Sequence, residues 1–163
     1  MRIKVETYCG TEYFATVDKS AKLTPHFQLY EMANNKGKTS LPMYIDSPES
    51  RLFMVMLEEF RVWYGSPIVV NSGYRQPAYN QAVGGDPNSA HKIACACDYT
   101  AKHTEEMRDR VIEKWRQILQ AHCVVGAINL YTTGYHLEAF SDICYGAKSF
   151  SIRDYRGTAK DWK

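Results

Sequence analysis

The chain has 163 residues, a formal net charge of +2 and 45% hydrophobic residues. This balance is typical of a single globular domain and excludes an intrinsically disordered chain. A charge so close to neutral, with no run of five basic residues, also argues against a nucleic-acid partner. We therefore expect one domain over residues 1–163 that acts as a monomer.

The first residues, Met1 to Glu6, lack the apolar core of a secretory signal peptide. No segment is apolar for long enough to span a membrane. The five cysteines are an odd number, which without a signal peptide favours reduced thiols. These features predict a protein that is cytoplasmic in the producing cell and does not insert into a membrane.

Short elements are predicted at the start of the chain. Residues 2–8 and 12–17 are expected to be strands. Thr24 is a candidate N-cap and Pro25 suits the first position of a short helix. Residues 34–40 are polar and rich in Gly and Lys, which predicts a loop.

The first long helix is predicted at 48–64. Ser47 and Pro48 form a cap-plus-proline start signal, and Gly65 ends the helix. A strand is predicted over 67–72, after this glycine. The expected buried face of the helix consists of Leu52, Val55, Met56, Phe60 and Trp63.

The second half of the chain mixes helices and strands without βαβ alternation. One or two helical turns are predicted over 76–83, a loop over 84–88 and a strand over 93–100. A second long helix is predicted over 104–121. Its residues at helical spacing are Met107, Val111, Trp115, Ile118 and Leu119.

A hairpin follows, with strands at 127–131 and 135–140. The tail after Gly146 is basic and aromatic, and its pattern supports no assignment. We therefore predict the α+β class, with a central antiparallel sheet and flanking helices.

Four residues have the chemistry of a hydrolytic zinc site. Such a site needs three N or O ligands, an open position for water and a nearby carboxylate. His91 ends a loop, and Asp98 lies seven residues further along a predicted strand. His136 and Glu138 lie two residues apart on the last hairpin strand, so their side chains point the same way. The pattern predicts one Zn²⁺ held by His91, Asp98 and His136, with Glu138 beside it.

Two cysteines alternate with small residues in front of Asp98. Cys95 and Cys97 would face away from Asp98 if the segment is a strand. A Cys-x-Cys pair can chelate a second metal, but such cysteines are more often small buried hydrophobes. We favour the second interpretation.

Several motifs at fixed spacing resemble one protein family. They are LTPHF at 23–27, EM at 31–32, NSGYR at 71–75, YNQAVGG at 79–85 and SAH at 89–91. Together they resemble the signature of the zinc D-Ala-D-Ala carboxypeptidases, a family that includes peptidoglycan endopeptidases, phage lysins and the related Hedgehog signalling domains. The resemblance covers roughly residues 23–140 and is strongest to the short branch that contains phage lysins.

This resemblance implies a Hedgehog/DD-peptidase-like fold and a role for each matching residue. His91, Asp98 and His136 match the zinc ligands. Arg75 matches an arginine that binds a substrate carboxylate or stabilises the tetrahedral intermediate, as a guanidinium can. Ser89 matches a serine that hydrogen-bonds substrate, and Tyr131 is added as a third substrate-binding candidate.

The chain departs from the family pattern at the catalytic acid. Many members carry Glu or Asp three residues before the last histidine, where this chain has Thr133. The short branch carries His-x-Asp, and this chain has His136-Leu137-Glu138. Glu138 is therefore predicted to be either the general base or a residue that supports His136.

The expected function is hydrolysis of a peptide bond next to a D-amino acid in peptidoglycan stem peptides, by a carboxypeptidase or an endopeptidase. A phage lysin released to the cell wall would reconcile this substrate with the missing signal peptide. Two alternatives remain. One is an inactive zinc-containing module that binds cell wall or a protein, and the other is a virion component that retains the domain.

Overall fold

The structure is a computed structural model that describes residues 2–6, 12–16, 21–36, 38–39, 44–101 and 104–161. The helices in this part are α1 (Leu29–Met32), α2 (Pro48–Tyr64), α3 (Pro77–Ala82), α4 (Glu105–Ala121) and α5 (Ser141–Tyr145), with a 3-10 helix at Ala90–Ile93. The strands are β1 (Arg2–Glu6), β2 (Glu12–Thr16), β3 (Asn34–Asn35), β4 (Lys38–Thr39), β5 (Ile45–Asp46), β6 (Val70–Ser72), β7 (Ala96–Thr100), β8 (Gly126–Tyr131), β9 (Gly134–Ala139) and β10 (Ser151–Asp154).

These strands form two sheets. β1, β2 and β5 make a small antiparallel sheet. The large sheet has the order β10-β8-β9-β7-β6-β3-β4. Its neighbouring pairs are antiparallel except β10 and β8, which are parallel. The α+β class is confirmed. The central sheet is antiparallel as predicted, except for the parallel edge strand β10, which comes from the unassigned tail.

Helix α2 begins and ends where its local signals place it. The Ser47 side chain accepts a hydrogen bond from the Ser50 amide, and the Ser50 hydroxyl oxygen accepts one from the Ser47 amide. Pro48 occupies the first turn, where its missing N–H costs nothing. Gly65 has φ 75° and takes the left-handed conformation that ends the helix. The predicted bounds of 48–64 are confirmed.

The buried face of α2 is rotated from the predicted one. Val55, predicted to be buried, is 47% exposed. The helix instead buries a stripe spaced i, i+3, i+4, i+7, formed by Phe53, Met56, Leu57 and Phe60. The rings of Phe53 and Phe60 lie 6.1 and 6.0 Å from that of Trp115 on α4. Met56 and Phe60 belong to both the predicted and the observed stripe, so the sequence pattern alone does not decide between the two. Packing against α4 decides which stripe is buried.

Helix α4 agrees with its predicted bounds and face. Val111, Trp115, Ile118 and Leu119 are buried, and Met107 is half-buried. The Trp115 indole donates to the carbonyls of Ala127 and Glu138 at 3.1 and 3.3 Å. These hydrogen bonds connect the helix to β8 and β9. The predicted hairpin of these two strands is also confirmed.

Other boundaries differ from the predictions. The first short helix begins at Leu29 after the cap residue Gln28, so the prediction of Thr24 as its N-cap is wrong. Thr24 instead accepts from the Phe27 amide and donates to Glu58 at 2.7 Å. The 34–40 segment contains the short strands β3 and β4 rather than loop alone.

The remaining shifts are local. The strand predicted at 67–72 is hydrogen-bonded only over 70–72, and Val69 is exposed. The strand predicted from 93 begins at Ala96, since Ala94 has φ 58° after the 3-10 helix. Predicted positions 7–8, 17, 37 and 40 lie outside the described residues. Within the described ranges, no helix has both the length and the apolar character needed to cross a membrane.

Candidate metal centre

One row of polar side chains crosses the large sheet. Strand register pairs each residue with its neighbour on the next strand, so their side chains share one face. In spatial order from β10 to β3 the row is Arg153, Asn129, His136, Asp98, Ser72 and Asn35. Two of the four predicted residues, Asp98 and His136, are thus brought together by strand pairing. Glu138 lies two residues beyond His136 on the same face of β9.

His91, Asp98 and His136 form a buried group. One ligand atom from each lies within 4.8 Å of the others, which is a distance that a single ion can bridge. Asp98 Oδ1 lies 3.3 Å from His91 Nε2 and 2.6 Å from His136 Nδ1. Within the described ranges these three side chains lie close enough together to hold one ion, and Cys95 and Cys97 do not belong to the group. The three predicted ligands therefore converge.

The 3-10 helix sets the position of His91. Ser89 caps it, with its side chain accepting from the His91 amide at 3.3 Å. His91 Nδ1 lies 2.6 Å from the Gly73 carbonyl oxygen, which can only accept, so Nδ1 carries the proton. A Cβ on Gly73 would lie 2.1 Å from the Met32 carbonyl oxygen, so only glycine lets this backbone approach α1. The lone pair of His91 Nε2 is left facing Asp98.

The protonation states of this pair suit a cation. Burial, and then the charge of Arg75, lower the pKa of His91 to about 4. Burial alone would raise the pKa of Asp98, but His91 and His136 outweigh it and hold the pKa well below its usual range. At neutral pH a neutral imidazole nitrogen thus faces an ionised carboxylate oxygen at 3.3 Å. Two electron-rich atoms at this separation could both bind one cation. Two imidazole nitrogens with one carboxylate oxygen are a common set of ligands for Zn²⁺.

His136 uses both ring nitrogens. Nδ1 faces Asp98, and Nε2 lies 2.8 Å from Glu138 Oε2. Burial disfavours its charged form, but Asp98 and Glu138 outweigh burial and raise the pKa of His136 to about 9. At neutral pH both nitrogens therefore carry protons, and they donate to Asp98 and Glu138. A metal would replace the proton on Nδ1, which faces the Asp98 carboxylate, while Nε2–H stays on Glu138. A carboxylate behind a ligating imidazole fixes its tautomer and its orientation.

Glu138 is 1% exposed and fully engaged. Its Oε1 accepts from the Ser141 hydroxyl at 2.7 Å and from Arg153 at 3.0 Å. Burial opposes ionisation, but His136, Arg153 and Ser141 lower the pKa of Glu138 to about 2. Of the two predicted roles, these contacts favour support of His136, and the role of general base stays a prediction.

Arg75 lies on the other side of the group. Its NH2 donates to Asp98 Oδ2 at 2.9 Å, and its Nε donates to Ser72 Oγ at 2.8 Å. Ser72 donates in turn to Asn35 at 2.6 Å. The guanidinium is therefore paired with the carboxylate of a candidate ligand. Its substrate role stays a prediction.

Two further site candidates lie away from the centre of the group. Ser89 is buried and caps the 3-10 helix, so its hydroxyl is already used as an acceptor. Tyr131 is half-buried at the end of β8, and its ring centroid is 5.6 Å from that of Tyr155. Ser89 precedes His91 by two residues and Tyr131 precedes His136 by five, and the contact of both with substrate stays a prediction.

Sequence reasoning missed Ser72, Asn35, Asn129, Ser141 and Arg153. Ser72 belongs to the NSGYR motif, three residues before Arg75, and this shared motif was the signal that could have identified it. The others carry no spacing signal, because they reach the site through pairing between strands distant in sequence. Arg153 in particular comes from the tail that supported no assignment.

Comparison with known protein families adds an independent finding. The family model described as Peptidase M15 matches residues 25–132, which is more than half of the chain and includes His91 and Asp98. No curated protein matches the chain. M15 peptidases are the zinc D-Ala-D-Ala carboxypeptidase-type family, and the ligand group fits their metal. The chain belongs to the Peptidase M15 family.

Proposed function

We propose that this protein is a zinc peptidase that hydrolyses a peptide bond next to a D-amino acid in bacterial peptidoglycan. The observation that carries the proposal is the buried group of His91, Asp98 and His136 in a chain of the M15 family. The family supports metallopeptidase chemistry, and the stem peptide is the substrate class that the sequence resemblance implies. Action at the cell wall, after release as a phage lysin, is part of the same proposal.

The three ligands would hold Zn²⁺ through His91 Nε2, a carboxylate oxygen of Asp98 and His136 Nδ1. A bound zinc ion supplies a Lewis acid for the scissile carbonyl and a water of lowered pKa. The His91 ring is held by the Gly73 carbonyl and the His136 ring by Glu138. Both imidazoles are thus oriented before any ligand arrives, so little side-chain freedom is lost on binding.

The contacts of Arg75 support a role in stabilising negative charge during the reaction. Its guanidinium keeps one edge on Asp98 and Ser72, and its side chain is 17% exposed. A cation fixed in this way stabilises an oxyanion or a terminal carboxylate of the substrate. Ser89 and Tyr131 are the proposed contacts for the rest of the peptide.

A catalytically inactive zinc module is the second candidate. The observation that favours it is the state of Glu138, whose oxygens are taken by His136, Ser141 and Arg153. Thr133 stands at the usual acid position, and its carbonyl accepts from the Ala101 amide. In such a module the same face of the sheet would recognise cell wall or a protein partner without hydrolysis.

Mass spectrometry of purified peptidoglycan digested with the zinc-loaded protein separates the two. We expect new muropeptides whose masses identify the bond, and their loss on adding a zinc chelator. His91→Ala should give no products, whereas His122→Ala, which removes a histidine paired with Glu59 on the surface, should match the wild type.

Each other outcome has a clear meaning. Products from a metal-free His91→Ala protein would overturn the metallopeptidase proposal. Zinc-loaded wild-type protein that releases nothing from walls of several chemotypes would favour the binding module.

A further inference from the structure

Strand β10 reaches the metal centre from outside the family match. The match ends at residue 132, whereas β10 spans Ser151–Asp154. β10 adds to the edge of the large sheet in parallel with β8, in a register that places Arg153 beside Asn129. The side chain of Arg153 therefore lies on the face that carries His136.

Arg153 is held on several sides. Its NH2 donates to Glu138 Oε1 at 3.0 Å, and its NH1 lies 3.3 Å from Asn129 Oδ1. The guanidinium carbon is 5.5 Å from the Tyr145 ring centroid, a cation–π distance. A cation so fixed defines one position for the Glu138 carboxylate.

Glu138 passes this constraint to the ligand. It is a buried carboxylate, so it needs charge-assisted partners to remain ionised in place. Arg153 NH2 and Ser141 hold Oε1, and Oε2 lies 2.8 Å from His136 Nε2 and 3.5 Å from Arg153 NH1. Without the guanidinium, Oε1 would keep only the Ser141 hydroxyl, and the carboxylate could rotate away from the imidazole.

We propose that Arg153 is a positioning residue for the metal centre, acting through Glu138 on the ligand His136. The inference rests on the proposed zinc site and extends it to a segment beyond the family match. A group that hydrogen-bonds a ligating imidazole, as Glu138 does here, changes metal affinity by about 10- to 100-fold when it is removed. Arg153 should therefore set zinc affinity and ligand geometry without touching the ion.

The test measures zinc affinity of the full chain by competition with a chromophoric chelator, and the visible spectrum of the cobalt(II)-substituted protein. Arg153→Ala should weaken zinc binding by about 10-fold, the lower end of that range because Arg153 acts through Glu138, and should alter the cobalt bands. Arg153→Lys, which keeps the charge, should recover part of both. Arg156→Ala is the matched control, since Arg156 lies nearby, is 30% exposed against 31% for Arg153, and pairs with Asp154 instead.

A double-mutant cycle with Glu138→Gln identifies the route. If Arg153 acts through Glu138, Arg153→Ala should weaken zinc binding in the wild type but have little further effect in the Glu138→Gln protein. Should Arg153→Ala fail to fold, the same measurements on Arg153→Gln and Arg153→Lys decide.

The outcomes separate this inference from the proposed function. Wild-type protein that binds no zinc would overturn both. Wild-type protein that binds zinc, with unchanged affinity and cobalt spectrum in the Arg153 variants, would overturn the inference and leave the proposed function standing. Additive losses in the cycle would also overturn it.

Discussion

The two faces of strands β7 and β9 are equally buried and chemically opposite. On one face lie Asp98, His136 and Glu138, and on the other lie Tyr99 and Tyr135, all with at most 9% of their surface exposed. Burial therefore does not distinguish the site from the core. The two-residue period of a strand does, because it sends alternate residues to opposite faces.

The faces are stabilised by different forces. On the core face, the Tyr99 and Tyr135 ring centroids are 5.4 Å apart, and Phe60 packs 6.1 Å from Tyr99. On the site face, each charged group has an oppositely charged neighbour, as Asp98 has Arg75. Apolar burial stabilises the first face without direction, whereas the second depends on individual contacts. Substitutions on the two faces should therefore separate folding from metal chemistry.

The largest expected effect is loss of the metal. His91→Ala removes one ligand from the three and should reduce zinc from about one per chain to near zero, because the two remaining ligands do not complete a catalytic site. Metal analysis of dialysed protein measures this. Circular dichroism of the metal-free forms is the control, since we expect the fold to persist. Full zinc occupancy in this variant would contradict the ligand assignment.

Phe60 of α2 packs against the core face, and Phe60→Ala should lower the free energy of unfolding by about 3–5 kcal/mol. Phe60 is fully buried and packs against Trp115, Tyr99, Trp63 and Tyr64. Urea denaturation measures the loss. The folded fraction should still bind zinc, and a selective loss of zinc at low urea would show that the two faces are not separable.

Arg75→Lys tests the site face without removing a ligand. It replaces a forked guanidinium by a single ammonium, so the paired contacts with Asp98 and Ser72 cannot both be kept. We expect a drop in kcat of about 10²- to 10³-fold, the cost of losing one oxyanion donor, with zinc retained. Steady-state kinetics with a metal assay check this. Unchanged kcat would remove Arg75 from the proposed chemistry.

A smaller effect is expected at Ser141, which is fully buried and donates to Glu138. Ser141→Ala leaves one carboxylate oxygen with Arg153 alone and should lower the free energy of unfolding by about 1–3 kcal/mol. The exposed Ser66→Ala should change it by less than about 0.5 kcal/mol. Equal effects of the two substitutions would mean that the hydrogen bond contributes nothing net.

The smallest expected effect lies away from both faces, at Glu58. Burial would raise the pKa of Glu58, but hydrogen bonds from Thr24 and His26 outweigh it and lower the pKa below its ordinary value. A lowered pKa means that the stabilisation is present above the unfolded pKa and is lost as pH falls through the folded one. Glu58→Gln should therefore cost less than about 1 kcal/mol near pH 7.

Thermal melts at several pH values test this sign. The difference between wild type and Glu58→Gln should shrink as the pH falls below about 4.5. A difference that grows on acidification would contradict the assigned contacts.

Much of the fold could be predicted from local patterns. The capping signals around Ser47 and Gly65 and the apolar spacing around Trp115 placed both long helices correctly, because caps and helical faces depend on neighbouring residues. The face of α2 was misplaced at Val55, since two overlapping stripes were compatible with the pattern and α4 selected one of them.

The candidate ligands could also be proposed from sequence, for a different reason. His91 lies in a motif of fixed spacing, and His136 and Glu138 share a strand face. Their convergence could not be predicted from neighbouring residues, because α4 and β8 separate the paired strands β7 and β9 along the chain. What Glu138 does was also undecided by spacing, since the answer depends on Ser141 and on a strand from the tail.

By itself the sequence determined the class of the fold, the long helices, the family and three candidate ligands of compatible chemistry. These follow from short-range periodicity and from motifs whose spacing is preserved along the chain. Only the tertiary structure decided that six strands align one polar row with Arg153 at its end and Arg75 beside Asp98. It also decided that Glu138 is enclosed behind His136. The physical reason is that strand register and the partners of a buried charge are set by contacts between distant segments, which no local pattern encodes.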